Sequence, residues 1–286
     1  MGARHNSRAI RMKQSDPVST HYTQGDLLAA IHAGITKLGK TADTITIEDL
    51  GPVDEFHIGG RLATRGFLDQ LTIGADDHVL DIGCGIGGAS RFAANEYQCR
   101  VSGVDLTDEF VETGKELCGM LGMNSRVSLK LGSALDLQFD DAAIDKAFML
   151  HVGMNIADKA ALSREVWRVL RPGGIFGIYD IMQVGTGAPD FPVPWASDSE
   201  GSALAAPKVY RDNLEAAGFE IISERNRAEF ALEFFDAMQT RAAEDGAPPL
   251  GLQIIMGSAA PAKIRNMVSS IAKGAIAPIE LVARKP

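Results

Sequence analysis

The run Val79-Leu-Asp-Ile-Gly83-Cys-Gly85-Ile-Gly87-Gly88 is the stretch best suited to chemistry. It stands where an apolar segment gives way to a helical pattern. Its backbone N–H groups and the following helix N-terminus would therefore meet a nucleotide-like ligand. Glycine is needed there because a Cβ would block close approach. As a bare pattern the run fits both GxGxxG (Gly83, Gly85, Gly88) and GxGxG (Gly83, Gly85, Gly87), a weak signal alone. Two carboxylates narrow the choice. Asp81, before the first glycine, would repel a pyrophosphate but suits an ammonium group. Asp105 closes Val101-Ser-Gly-Val-Asp105, where its paired oxygens match two ribose hydroxyls. Asp105 serves a dinucleotide equally well, so Asp81 tips the balance.

Other residues suggest work on a second molecule. His151 follows the apolar run Ile144 to Met149, and its ordinary pKa suits proton removal near neutrality. A ring that merely bonds backbone or ligand is the alternative. Asp180 ends the apolar run from Ile175 and is placed to orient an amine or a hydroxyl. Phe191-Pro-Val-Pro-Trp195 offers rings for an aromatic acceptor or, by cation–π contact, a substituted ammonium; Trp195 and Phe191 serve equally as loop anchors. Trp167 has the rhythm of a packing residue. There is no nucleophile elbow with a Ser-His-Asp set and no HExxH. The three cysteines, Cys84, Cys99 and Cys118, have no CxxC spacing, so neither a disulfide framework nor a metal site is expected.

The elements that must hold these residues follow from periodicity. Helical spacing marks 24–38 and 61–71, with a loop from Thr41 to Gly60 between them. Strands are expected at 78–82, 100–105, 126–131, 144–149, 175–181, 219–224 and 277–283. Helices alternate with them at 89–97, 108–121, 158–170 and 207–217, and Arg171-Pro-Gly-Gly174 reads as a stop. Such alternation predicts an α/β fold, a doubly wound, mostly parallel sheet. Two helical segments near 229–244 and 251–273 interrupt it before the last strand. They are rich in Leu, Ile, Met and Phe, fitting either a lid over a pocket or a homodimer contact.

The domain plan is then a tail over 1–20, an N-terminal helical segment over 21–74, a ligand-binding core over 75–228, an insertion over 229–276 and a final strand over 277–286. The tail carries Arg4, Arg8, Arg11 and Lys13. Hydrophobic residues make up 45% and charged residues 23%, which excludes global disorder and coiled coil. No stretch of 18 uninterrupted apolar residues suggests a membrane span. A formal charge of −9 argues against nucleic acid or an anionic membrane as partner and points to a cytoplasmic handler of small molecules.

At its ordered motifs the chain resembles the class I S-adenosylmethionine-dependent methyltransferases. The motifs are Leu80-Asp-Ile-Gly-Cys-Gly-Ile-Gly87, Gly103-Val-Asp105, Gly132-Ser-Ala134, the strand ending near His151, and Arg168-Val-Leu-Arg-Pro-Gly-Gly174. More narrowly, it is similar to the branch holding quinone C-methyltransferases and the sarcosine/dimethylglycine and phosphoethanolamine N-methyltransferases. The resemblance implies seven strands with an antiparallel last one, and S-adenosylmethionine as methyl donor. It implies that Gly83, Cys84, Gly85 and Gly87 border the methionine end, and that Asp105 holds the ribose. Leu106, Ser133 and Ala134 would then surround the adenine. His57 or Gly59, in Asp54-Glu-Phe-His-Ile-Gly-Gly60, or Arg61 just beyond, would touch the methionine end, with His57 also near the acceptor. Tyr22 would close the pocket. The expected acceptor is a small polar amine, with O- or C-methylation of an aromatic or prenylated ring as the alternative. An NAD-dependent oxidoreductase must explain Asp81 and lacks a Tyr-x-x-x-Lys pair; a non-catalytic cofactor-binding protein is the third reading.

Overall fold

The computed structural model describes residues 17–23, 25–246 and 248–286. Four helices lead in: α1 (Pro17–Tyr22), α2 (Leu27–Lys37), α3 (Ile47–Asp54) and α4 (Gly60–Leu68). The alternating core follows as β1 (His78–Ile82), α5 (Gly88–Glu96), β2 (Arg100–Asp105), α6 (Asp108–Met120) and β3 (Val127–Leu131). It continues through β4 (Ile144–Leu150), α7 (Lys159–Val169), β5 (Leu170–Gln183), α8 (Pro207–Ala217) and β6 (Glu220–Asn226). Helices α9 (Ala228–Asp245), α10 (Gln253–Met256) and α11 (Ala260–Ala272) precede β7 (Ile276–Arg284).

The seven strands lie in the order β3-β2-β1-β4-β5-β7-β6. The pairs among β1 to β5 are parallel, and β7 runs antiparallel to both β5 and β6. This is the doubly wound architecture expected from the sequence. The strand order reverses between β1, which leads outward to β2, and β4 beside it. A crevice must open above the carboxyl ends of these strands, where neighbouring connections leave to opposite faces.

Strand alternation sorts the core into two faces. Leu80 and Ile82 of β1 join Phe176, Ile178 and Met182 of β5 beneath α7 and α8. Val79 and Tyr179 turn the other way, toward Phe67 and Leu68 of α4 and Phe92 of α5. A third cluster packs Leu27, Ile31 and Ile35 of α2 on Leu250 and Ile255, tying the N-terminal helices to the late insertion.

Three expectations change. The segment 41–60 is not all loop, because α3 lies inside it. Thr46 and Asp49 form a reciprocal capping box, and Leu50 and Val53 are fully buried. Gly51 and Pro52 hide this short helix from a periodicity reading. Helix α7 does end before Arg171-Pro-Gly-Gly174, but the chain has already entered the sheet at Leu170. Gly173, at φ +80°, and a register shift accommodate the motif before pairing resumes at Ile175. The basic residues of the expected tail lie outside the described residues, and Pro17–Tyr22 is helical.

Since the Thr46 hydroxyl satisfies an otherwise unpaired N–H of α3, Thr46→Ala should cost about 1 kcal/mol. A urea unfolding curve should show a lower midpoint at constant slope. An unchanged midpoint would mean that packing alone holds α3.

Candidate active site

A cavity of about 420 Å³ occupies the crevice above β1, β2 and β4. Its floor is the glycine loop. The N–H groups of Gly83 and Cys84 both donate to the Val104 carbonyl, at 2.7 and 3.1 Å, which hangs the loop on the end of β2. Asp105 completes the brace. One carboxylate oxygen accepts from the Gly85 N–H at 2.9 Å, the other from the Thr107 N–H at 2.8 Å. Each oxygen keeps lone-pair capacity for a further donor, and Asp105 lines the cavity. Gly85 sits at φ +54°, a left-handed conformation costly to side chains. Leu106, Ser133 and Ala134 line the same end, beside the half-exposed Leu135.

Asp81 stands at the end of β1 and accepts from the Ser90 hydroxyl at 2.6 Å. Burial pushes its carboxyl up to about 7, against the opposing effect of that hydrogen bond. Cys84 is buried in the wall, and desolvation raises its thiol well above the ordinary value, which keeps it protonated.

The approach segment between α3 and α4 closes one side of the cavity. The His151 ring accepts the Ile58 N–H through Nδ1 at 3.3 Å, and the Tyr179 hydroxyl donates to the Ile58 carbonyl at 3.1 Å. The His151 ring also stacks at 4.9 Å on Tyr179. Burial, with His57 nearby, holds the imidazole well below its usual pKa, so it is neutral. With Nδ1 accepting, the proton of the neutral ring resides on Nε2. His151 itself adopts φ +55°, in a region where His and Asn are enriched. As placed, it anchors the approach segment through Nδ1, and its Nε2 has no hydrogen-bond partner.

His57 lines the cavity with its carbon framework while its Nε2 is 2.9 Å from the Thr64 hydroxyl. That hydroxyl donates to Glu55 at 2.6 Å, and Arg61 pairs with the same carboxylate at 2.7 Å. Burial lowers the His57 imidazole to about 4. Tyr22 reaches the cavity from α1, its hydroxyl donating to Asn155 at 3.4 Å. Trp195 forms part of the wall, and its Nε1 donates to Ser202 at 2.9 Å. Trp167 packs against Phe219.

Three expected residues stand elsewhere. Gly87 is the left-handed N-cap of α5, where a Cβ would come within 2.7 Å of Leu129; it shapes the turn and does not line the cavity. Gly59 likewise stays outside, beneath the Phe230 ring, which a Cβ would strike. Asp180 points to the opposite sheet face, fully buried, and accepts from the Tyr210 hydroxyl at 2.6 Å. Strand β5 continues three residues past it, and Ile181 is the residue that faces the cavity.

The apolar insertion closes the other end of the cavity. Phe235 and Met238 of α9, Ile255 and Met256 of α10, and Met267 of α11 enclose it. Of the two roles open to the insertion, this placement supports the lid. Asp54 and Asn155 are wall residues with no spacing signal to reveal them. Among the described residues no cluster of three or more His, Cys, Asp or Glu is arranged to hold a metal ion. None of the helices described is long and apolar enough to cross a membrane.

Residues 79–174 match the family model described as a methyltransferase domain. The chain is 33% identical over 165 residues to the sterol 24-C-methyltransferase of Eremothecium gossypii, covering 55% of this chain and 44% of that protein. It is 30% identical over 218 residues to the 2-methyl-6-phytyl-1,4-hydroquinone methyltransferase of Synechocystis, covering 72% of this chain and 66% of that one. It thus spans less than half of the first relative and about two thirds of the second. The structure of Haemonchus contortus phosphoethanolamine N-methyltransferase 2, solved with S-adenosyl-L-methionine, superposes with a TM-score of 0.70 at 20% identity. That likeness covers 89% of this chain and 60% of the other. With its glycine loop, Asp105 brace and sheet order, the chain belongs to the class I S-adenosylmethionine-dependent methyltransferases.

Proposed function

We propose that this chain transfers a methyl group from S-adenosylmethionine to an apolar small-molecule acceptor. The observation that carries the reading is the division of the cavity. One end offers a glycine loop, the Asp105 carboxylate and apolar flanks, which fit an adenosine. The other end is walled by Phe, Met and Ile side chains of α9, α10 and α11.

When bound, S-adenosylmethionine supplies an already activated methyl group. The chain's own task is to align the acceptor and exclude water. Asp105 takes the ribose hydroxyls, Leu106 and Leu135 flank the base, and Ser133 and Ala134 border its edge. The insertion closes over the acceptor. Tyr22 and Asn155 supply neutral polar contacts suited to one hydroxyl or carbonyl group. The lid favours the aromatic or prenylated alternative over the amine expected first, because an ammonium or phosphate placed among these side chains would lack a charged partner.

His151 is a positioning residue in this reading. It holds Ile58, and through it the approach segment, while proton removal from the acceptor is left to water or to an acceptor that needs none. His151→Asn should then keep turnover within about tenfold and leave the pH profile unmoved, since Asn can accept the Ile58 N–H and tolerates positive φ. A loss of about 10²–10⁴-fold with a vanished acidic limb would restore the general base.

Asp105→Ala should weaken binding of S-adenosylhomocysteine by about 2–3 kcal/mol in calorimetry, as charged hydrogen bonds are lost. Unchanged affinity would remove Asp105 from the site. Acceptor class is tested with labelled donor. A prenylated hydroquinone or apolar phenol should exceed sarcosine and phosphoethanolamine in kcat/KM by about 10²-fold, equivalent to roughly 3 kcal/mol. Preference for either charged amine would overturn the acceptor assignment.

A further inference from the structure

The cavity takes walls from two separate stretches of chain. One is the glycine loop between β1 and α5; the other is Phe56, His57 and Ile58, directly after α3. A single buried side chain ties them together. Arg91 of α5 is fully buried, and its Nη2 donates at 2.5 Å to Oδ1 of Asp54, the last residue of α3. Its Nη1 donates at 2.7 Å to the Ile86 carbonyl, in the middle of the loop.

The packing around the guanidinium is close. A Cβ on Gly88 would come within 2.5 Å of the Asp54 Cβ, so α3 meets the start of α5 at a distance that glycine allows. A Cβ on Gly114 would come within 2.7 Å of the Ile86 oxygen, so α6 backs that carbonyl. The same Nη1 has longer contacts on α6, to the Gly114 carbonyl at 3.5 Å and the Cys118 sulfur at 3.8 Å. The guanidinium thus stands where α3, the loop and α6 converge, and it does not line the cavity.

A buried ion pair adds little net stability, because desolvating two charges offsets their attraction. Apolar side chains could fill the same space. They could not donate to two acceptors in fixed directions, which the planar fork of a guanidinium does. The Asp54 carboxylate and the Ile86 carbonyl belong to different stretches of chain, so one rigid group sets the gap between them.

We infer that Arg91 is a positioning residue for the donor site. Through Asp54 and the Ile86 carbonyl it fixes the glycine loop relative to the approach segment that follows α3. It touches neither donor nor acceptor and acts by holding the residues that do. The role rests on the reading of S-adenosylmethionine as donor. It complements the Asp105 brace, which ties the same loop to the end of β2.

Variants that keep the fold separate positioning from stability. Asp54→Leu/Arg91→Met replaces both charges by apolar side chains and should still unfold in one cooperative urea transition. Its calorimetric affinity for S-adenosylhomocysteine, measured where the protein is fully folded, should fall about tenfold or more as the loop loses its preset shape. A merely structural role would move the urea midpoint and leave the affinity of the folded protein as it was. Should that double variant not fold, Arg91→Lys keeps the charge but lacks the fork that spans both acceptors. It should then show a loss of about three- to tenfold. Native affinity in the folded double variant, or in Arg91→Lys where the double variant does not fold, would overturn the role of Arg91. Failure of the native protein to bind S-adenosylhomocysteine would instead overturn the donor reading, and this assignment with it.

Discussion

The site hangs on one carboxylate. Asp105 accepts the N–H of Gly85 with one oxygen and that of Thr107 with the other. It thereby joins the loop after β1 to the turn after β2, across the place where the sheet changes direction. The Val104 carbonyl reinforces the same junction by accepting from Gly83 and Cys84. A peptide N–H buried at such a junction must find an acceptor, and a carboxylate supplies a stronger one than a carbonyl. The loop is thus shaped before any ligand arrives, and what remains of Asp105 points into the cavity. Preorganisation of this kind spares the ligand the cost of ordering the loop.

Around that fixed point the chain places charge at one end of the cavity and keeps it from the other. The approach segment buries Asp54, Glu55, His57 and Thr64 together with Arg91, a concentration of polar groups that persists because nearly every member is paired. His151 and Tyr179 dock this segment onto the sheet through both polar groups of Ile58. Toward the acceptor end the insertion contributes aromatic and methionine side chains. Methionine is unbranched and polarizable, so it fills irregular space around ligands of varied outline.

Much of this architecture was legible in the sequence, and the reasons are local. Strand β1 reads correctly because His78 to Ile82 is a short apolar run bounded by a turn and a glycine loop. Helix α8 reads correctly because Pro207 opens it and Gly218, at φ +105°, closes it. Asp180 failed as a site residue because a strand alternates. The chain reaches its carboxyl end in register with Ile181, so the aspartate went to the other face. Gly59 and Gly87 failed because a glycine can serve a close side chain as readily as a ligand, and spacing does not distinguish them. The lid was legible as an apolar insertion but not as a lid, since a subunit contact has the same composition.

The most direct measurement is a pair of calorimetric titrations of the purified protein, one with S-adenosylhomocysteine and one with NADH. The account predicts micromolar binding of the first and no heat from the second, because the Asp81 carboxyl beside the glycine loop disfavours a pyrophosphate there. Binding of NADH without S-adenosylhomocysteine would contradict the methyl-transfer reading at its root.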